Sequence, residues 1–185
     1  MEFLPDHVGR LATIARWKPV HMGHAAVLRA LAGYADQLVV GIGSSNRYDS
    51  RNPWTAEETE EMLRLVIGDG PTVVPIADLG DGPRWRRAVV DRLGPLDLFV
   101  TANRYVRDLL AEDYRVVHPV HLVPPGERVA IDGTRVRSAM ALGEGWRSLV
   151  PREVADWLEG RGLVERFRRE FGAEFSSCPS GGEAP

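Results

Sequence analysis

Two kinds of apolar pattern alternate along the chain: short continuous runs, and stripes spaced three and four residues apart. The alternation predicts strands and helices taking turns. Residues 10–15 and 37–42 read as strands, the second a continuous apolar run of the kind buried on both faces. Between them, residues 24–35 carry Val27, Leu28 and Leu31 at helical spacing. Thr55-Ala56-Glu57-Glu58 opens the next helix as a capping box, with Met62, Leu63 and Val66 on its apolar side. Residues 72–76 are a third strand bounded by Pro71 and Pro75, and residues 78–83 a Gly/Asp loop. A helix over 85–93 stops at Gly94-Pro95. A strand (96–101), a helix (104–111), a strand (114–117) and a proline-rich connector (119–127) follow. Three short helices are expected over 134–142, 151–158 and 164–171. The polar residues 172–185 read as a disordered tail, which leaves one domain over 1–171.

Strands alternating with helices imply a doubly wound parallel α/β sheet with helices on both faces, a three-layer α/β/α arrangement. Ligands of such sheets lie at the carboxyl ends of the strands, where the strand order reverses. The loops after the first four strands fall on that edge, and they hold nearly every unusual polar residue.

Composition narrows the class. A chain of 185 residues, 44% hydrophobic and 26% charged, is ordinary globular material with enough length for a core. No apolar run approaches the ~20 residues of a membrane span, and Glu2, Asp6 and His7 leave no apolar signal core at the start. The single cysteine, Cys178, excludes an intrachain disulfide and a thiolate metal cluster, which fits a reducing cytoplasm. A net charge of −3 gives no global field for nucleic acid. Of the 23 basic residues only Lys18 is a lysine, a bias that a GC-rich coding sequence accounts for. Several of the arginines sit beside turns, where a planar fork of donors suits phosphate.

The chemistry concentrates at Arg16-Trp17-Lys18-Pro19-Val20-His21-Met22-Gly23-His24, where the first strand gives way to the first helix. Two imidazoles around a glycine at a helix N-terminus suit a polyphosphate, because unpaired N–H groups and the helix dipole favour anions there. A zinc site lacks a third ligand nearby and the HExxH pattern. Gly41-Ile42-Gly43-Ser44-Ser45-Asn46 lacks the third glycine of the dinucleotide fingerprint, which disfavours hydride transfer.

The segment resembles the G-R-F-x-P-x-H-x-G-H signature of the nucleotidyltransferase superfamily. Within it the chain is similar to archaeal-type nicotinamide mononucleotide (NMN) adenylyltransferases. Gly43-Ser44-Ser45-Asn46 and Arg51-Asn52-Pro53-Trp54-Thr55-Ala56-Glu57-Glu58 match their second block. Asp132-Gly133-Thr134-Arg135-Val136-Arg137-Ser138-Ala139-Met140 matches the third, and Gly145 to Pro151 the ending. The resemblance implies a Rossmann-like nucleotidyltransferase fold, a homo-oligomer, and the reaction of ATP with NMN to give NAD and pyrophosphate. No protein nucleophile is needed: the mononucleotide phosphate, mostly dianionic above its second pKa of about 6, attacks the α-phosphorus in line.

On that resemblance His21, His24 and Arg137 act at the reacting phosphates. Arg16, Trp17, Gly23, Gly133 and Thr134 bind ATP, with Gly23 letting the backbone approach. Ser44, Arg51, Trp85 and Asn103 bind the acceptor, Arg51 at its phosphate and Trp85 stacking on the pyridinium. Magnesium bridges the phosphates with mostly phosphate and water ligands, since no Asp cluster marks a protein-built cage. Plainer readings stand beside these: Arg51 as a solvated loop residue, Trp85 as a core anchor, Asn103 as a helix cap, Arg137 paired with Glu144 or Asp132.

The chain departs from the pattern at Ala15, Thr59, Asp132 and Gly82, where relatives carry glycine, arginine, serine and asparagine. The acceptor half departs more than the ATP half. Another phosphorylated acceptor therefore remains open, including nicotinate mononucleotide beside Arg84, as does a nucleotide-sensing module without turnover.

Overall fold

The computed structural model describes residues 4–176. Five parallel strands form one sheet in the order β3-β2-β1-β4-β5. These are β1 (Val8–Ala15), β2 (Ala35–Gly43), β3 (Thr72–Ile76), β4 (Leu98–Val100) and β5 (Val116–Val117). The helices are α1 (Met22–Tyr34), α2 (Ala56–Ile67), α3 (Gly82–Leu93), α4 (Arg104–Leu110), α5 (Gly133–Leu142), α6 (Arg152–Gly160) and α7 (Leu163–Ser176). The first three strands step outward in one direction. The chain then returns past β1 to lay down β4, so the order reverses between β1 and β4.

Side chains of neighbouring residues in a strand point to opposite faces, and this divides the core in two. Leu11, Leu38, Val40, Leu98 and Val100 face a large cluster completed by α1, α2, α5, α6 and α7. Ala12, Val39 and Phe99 face a smaller cluster closed by Val89 and Leu93 of α3 and Leu110 of α4. The expected three layers are present. No helix among the described residues is long and apolar enough to cross a membrane.

Several boundaries differ from expectation for identifiable reasons. The fifth strand shortens because Tyr114 turns inward, stacks on Phe99 at 6.0 Å and donates its hydroxyl to the Gly94 carbonyl at 2.9 Å. Helix α3 starts at Gly82, inside the expected loop, rather than at Trp85, because Asp81 caps it by accepting from the Arg84 N–H at 2.7 Å. The proline-rich connector holds two 3₁₀ turns, Pro119–His121 and Pro125–Glu127. The expected tail begins too early. Helix α7 runs through Gly172 to Ser176, with Phe175 5.6 Å from Phe167. The rest of that tail, 177–185 with Cys178, lies outside the described residues.

One ion pair ties α7 to the first turn of α2 and the loop before it. Arg166 meets both carboxylate oxygens of Glu58 at 2.6 and 2.7 Å and also donates to the Pro53 carbonyl at 3.2 Å. Burial alone raises the Glu58 carboxyl, but the Arg166 bonds and the Thr55 N–H outweigh it and hold it below the ordinary range. Its stabilising contribution is therefore present above the unfolded carboxylate range and fades as pH falls through the lower folded value. Glu58→Gln is expected to cost about 2 kcal/mol near neutrality, as for losing a charge-assisted bond. Urea unfolding at pH 7 and again below pH 4 checks this, and the difference between variant and parent should shrink in acid.

Candidate active site

The loops leaving β1 and β4 enclose a cavity of about 690 Å³ at the carboxyl edge of the sheet, where the strand order reverses. Helices α1, α3 and α5 direct their N-terminal residues toward it: His24, Gly82, and Gly133 with Thr134 all line the wall. Arg16, Lys18 and Arg137 supply cations to the same wall. Helix N-termini and cations together make an anion site.

The histidines are organised by the backbone. His21 is the N-cap of α1, and its Nδ1 accepts from the His24 N–H at 3.2 Å. His24 Nδ1 faces the His21 N–H in return at 3.5 Å. An accepting Nδ1 is unprotonated, so a neutral ring carries its proton on Nε2. The two rings stack at 3.5 Å, and the Trp17 ring meets the His24 ring edge-on at 4.7 Å. Burial pushes His21 down to about 4, with Asp132 opposing and Arg137 reinforcing. Burial, then His21, also lowers His24 well below its ordinary value against a Pro19 backbone bond. Both imidazoles are neutral near pH 7; His24 lines the cavity, whereas His21 is 4% exposed and lies behind the wall.

Arg137 is 7% exposed. Its Nη1 donates to the Lys18 carbonyl at 2.9 Å and its Nη2 to Thr134 Oγ1 at 3.3 Å, while Nε is buried without a partner among the described residues. Burial, then Arg16, lowers it to about 10, so it stays charged. Gly133 makes this placement achievable, since a Cβ there would lie 2.9 Å from Nη1. Asp132 caps α5 through the Arg135 N–H at 2.9 Å and faces the charged Arg137 guanidinium, which offsets its own charge.

Other expected site residues fall less simply. Trp17 is 2% exposed and its indole N–H already donates to the Gly41 carbonyl at 2.8 Å, so its side chain positions His24. Gly23 accommodates the protein's own backbone, because a Cβ there would lie 2.8 Å from the Val129 carbonyl oxygen. Ser44 lines the wall in a left-handed conformation, φ 52°, and its carbonyl accepts from Lys18 Nζ. Trp85 stands on the first turn of α3, within the helix expected there. It is half-buried, packs against the smaller core cluster and also borders the cavity, so both of its readings hold. Asn103 caps α4 through the Val106 N–H at 3.2 Å and borders the cavity as well. Arg51 is exposed and does not line the wall. Asp49, accepting from the Arg51 and Asn52 N–H groups at 2.9 Å, fixes its loop.

Two residues of this wall, Lys18 and Tyr105, were given no role in the sequence. Lys18 is 2% exposed there, and its signal was its solitude among arginines. Tyr105 of α4 also lines the cavity, and its hydroxyl fills the space a Cβ on Gly82 would need. Only the pairing of those two positions in space reveals it.

The wall carboxylates already have partners. Asp78 accepts from the Gly80 N–H and faces Arg47, Asp81 caps α3, and Asp132 caps α5. Among the described residues no three His, Cys, Asp or Glu are grouped to hold a metal. This donor set fits a divalent cation carried in on nucleotide phosphates, with water completing its shell.

The Cytidylyltransferase-like family model matches residues 13–139. The nicotinamide-nucleotide adenylyltransferase of Methanococcus vannielii is 31% identical over 165 residues, covering 85% of this chain and 94% of the relative. That of Methanoculleus marisnigri is 34% identical over 165 residues, covering 87% and 96%. Among solved structures, a bifunctional NMN adenylyltransferase/ADP ribose pyrophosphatase from Francisella tularensis superposes with a TM-score of 0.68 over 95% of this chain at 12% identity, a likeness of fold. The chain spans 58% of that bifunctional protein.

Proposed function

We propose that this chain, which belongs to the cytidylyltransferase-like family and within it to the nicotinamide-nucleotide adenylyltransferases, transfers AMP from ATP to NMN to form NAD and pyrophosphate. The observation that carries the reading is the stacked pair of neutral imidazoles at the start of α1, beside the buried guanidinium of Arg137.

In this reading the triphosphate lies against the N-termini of α1 and α5. His21 and His24 donate from Nε2 to its oxygens, and Arg16 and Arg137 flank it. Trp17 and Gly23 serve by holding His24 and by seating the connector, while Gly133 and Thr134 hold Arg137 in place. The dianionic phosphate of the acceptor attacks the α-phosphorus, the bond to the bridging oxygen breaks, and pyrophosphate departs with the electron pair. Charge that builds on the leaving oxygens meets donors already in place, so catalysis is positioning and electrostatics. Magnesium enters with ATP as part of the substrate and neutralises phosphate charge.

The acceptor lies toward Ser44, Trp85 and Asn103, with Arg51 at the rim. Trp85→Ala is expected to raise KM for NMN about tenfold with kcat changed less than threefold, as for losing a partly desolvated cation–π contact. Trp85→Phe, which keeps the packing against the smaller core cluster, should recover most of it. Initial rates with varied NMN at saturating ATP are the check, and an unchanged KM leaves Trp85 as a core anchor only.

A cytoplasmic location and assembly into a homo-oligomer belong to the same reading, the latter measurable by light scattering. The deciding experiment supplies ATP and magnesium with NMN, nicotinate mononucleotide or 4′-phosphopantetheine, and follows pyrophosphate and dinucleotide. NAD from NMN supports the proposal. Turnover only with another acceptor, or tight ATP binding without turnover, overturns it.

A further inference from the structure

We propose that Lys18 grips the phosphate of the acceptor nucleotide, joining the triphosphate cradle to the acceptor side of the cavity. This rests on the adenylyl-transfer reading and extends it to a residue that reading does not use.

The geometry points there from both ends. The backbone of Lys18 belongs to the triphosphate side, because its carbonyl accepts from Arg137 Nη1 at 2.9 Å. Its side chain crosses to the other side, where Nζ donates to the Ser44 carbonyl at 3.3 Å at the end of β2. An ammonium has three donors, and this is the one hydrogen bond Nζ makes among the described residues. Its opposite charge, Asp49, is held by the backbone of Arg51 and Asn52 and by Asn52 Nδ2, and forms no ion pair with it within 4 Å.

A cation 2% exposed without a bound anion is costly to keep. Arg16 of the same loop, His24 of α1, Arg137 with Asp132 at α5, Asp78 after β3, and Asp49 with Arg51 after β2 are the titratable groups around it. Three arginines and Lys18 against three aspartates leave one positive charge over, which a phosphate dianion between β1 and β2 would more than balance. Arg51 is exposed and does not line the cavity, which leaves the enclosed oxygens of that phosphate to Lys18. Burial lowers the ammonium to about 8, Asp49 opposing and Arg16 adding, so a bound dianion has room to raise it again.

Lys18 is the chain's single lysine, so protein grown on lysine carrying ¹³C at Cε gives one lysine signal. Its pH midpoint should lie near 8 in the free protein. Saturating NMN alone, and to a lesser degree inorganic phosphate, should raise it by about one unit or more, while ATP alone should move it less. This readout needs no turnover, so it stands apart from the adenylyl-transfer assay. Lys18→Gln should raise KM for NMN roughly 10- to 100-fold, leave KM for ATP within about threefold, and remove the alkaline limb of kcat/KM near pH 8. A midpoint unmoved by NMN, a midpoint moved chiefly by ATP, or an unchanged KM for NMN each overturns the proposal.

Discussion

His24→Ala lowers kcat by roughly 10²–10³, the usual loss for one preorganised donor at a developing negative charge, with KM for ATP shifting much less. The ring is committed to this role by its surroundings. Its Nδ1 faces the His21 N–H, its plane lies on the His21 ring at 3.5 Å, and the Trp17 edge fixes it from the side. Because burial keeps both rings neutral, neither titrates across the working range near pH 7. The acid limb of kcat/KM then belongs to the acceptor phosphate, with its second pKa of about 6. Acid should also weaken the fold, since the unfolded histidines take protons at about 6.5 and the folded His21 only near 4. His24→Asn, which keeps a side-chain acceptor and a donor, should recover part of the rate. Turnover within a few-fold of the parent in a variant that melts normally would reduce His24 to a helix cap.

The parts of the fold written as local pattern were legible. Strand β2 is a continuous apolar run because both of its faces are covered, and β3 matches its expected limits because Pro71 and the loop at Asp78 punctuate it. The α2 cap follows from the chemistry of Thr55 and Glu58 alone, and the structure contains both of its bonds. Elements decided by tertiary packing were less legible. Tyr114 looks like a strand residue until its hydroxyl is seen to need the Gly94 carbonyl. Helix α7 continues past Gly172 although its signal was present: Leu163, Phe167, Phe171 and Phe175 recur every four residues. A glycine costs a helix only about 1 kcal/mol, less than burying such a stripe.

The same division runs through the site. That His21 and His24 share the start of α1 was readable, because a strand giving way to a helix at a His-x-Gly-His run is local pattern. Trp17 and Gly23 sit in the same motif but serve the protein itself, one through the Gly41 carbonyl and the other against the Val129 carbonyl. Adjacency in sequence cannot separate a residue that touches ligand from one that holds its neighbour. Lys18 was hidden for a different reason. Its meaning comes from crossing between two strands, which only the β1–β2 pairing creates.

Arg137→Lys is expected to lower kcat by roughly 10²–10³ although the charge is kept, because planarity and two forked donors are what the position uses. The guanidinium spans from the Lys18 carbonyl to Thr134 Oγ1, over a glycine whose missing Cβ makes the room. An ammonium cannot reach both acceptors and still face the cavity. It would also feel the burial and the Arg16 charge that already lower the guanidinium to about 10, starting from a lower value of its own. Arg137→Gly adds a second effect: the buried Lys18 carbonyl loses its donor, which costs about 1–3 kcal/mol of stability. The two effects separate in one measurement. Guanidinium ion added at millimolar concentration should restore part of kcat to Arg137→Gly and none to Arg137→Lys, whose ammonium blocks the space. A role confined to bracing the β1–α1 loop predicts the opposite, a lysine variant that turns over within a few-fold of the parent and a glycine variant whose rate ignores the added ion.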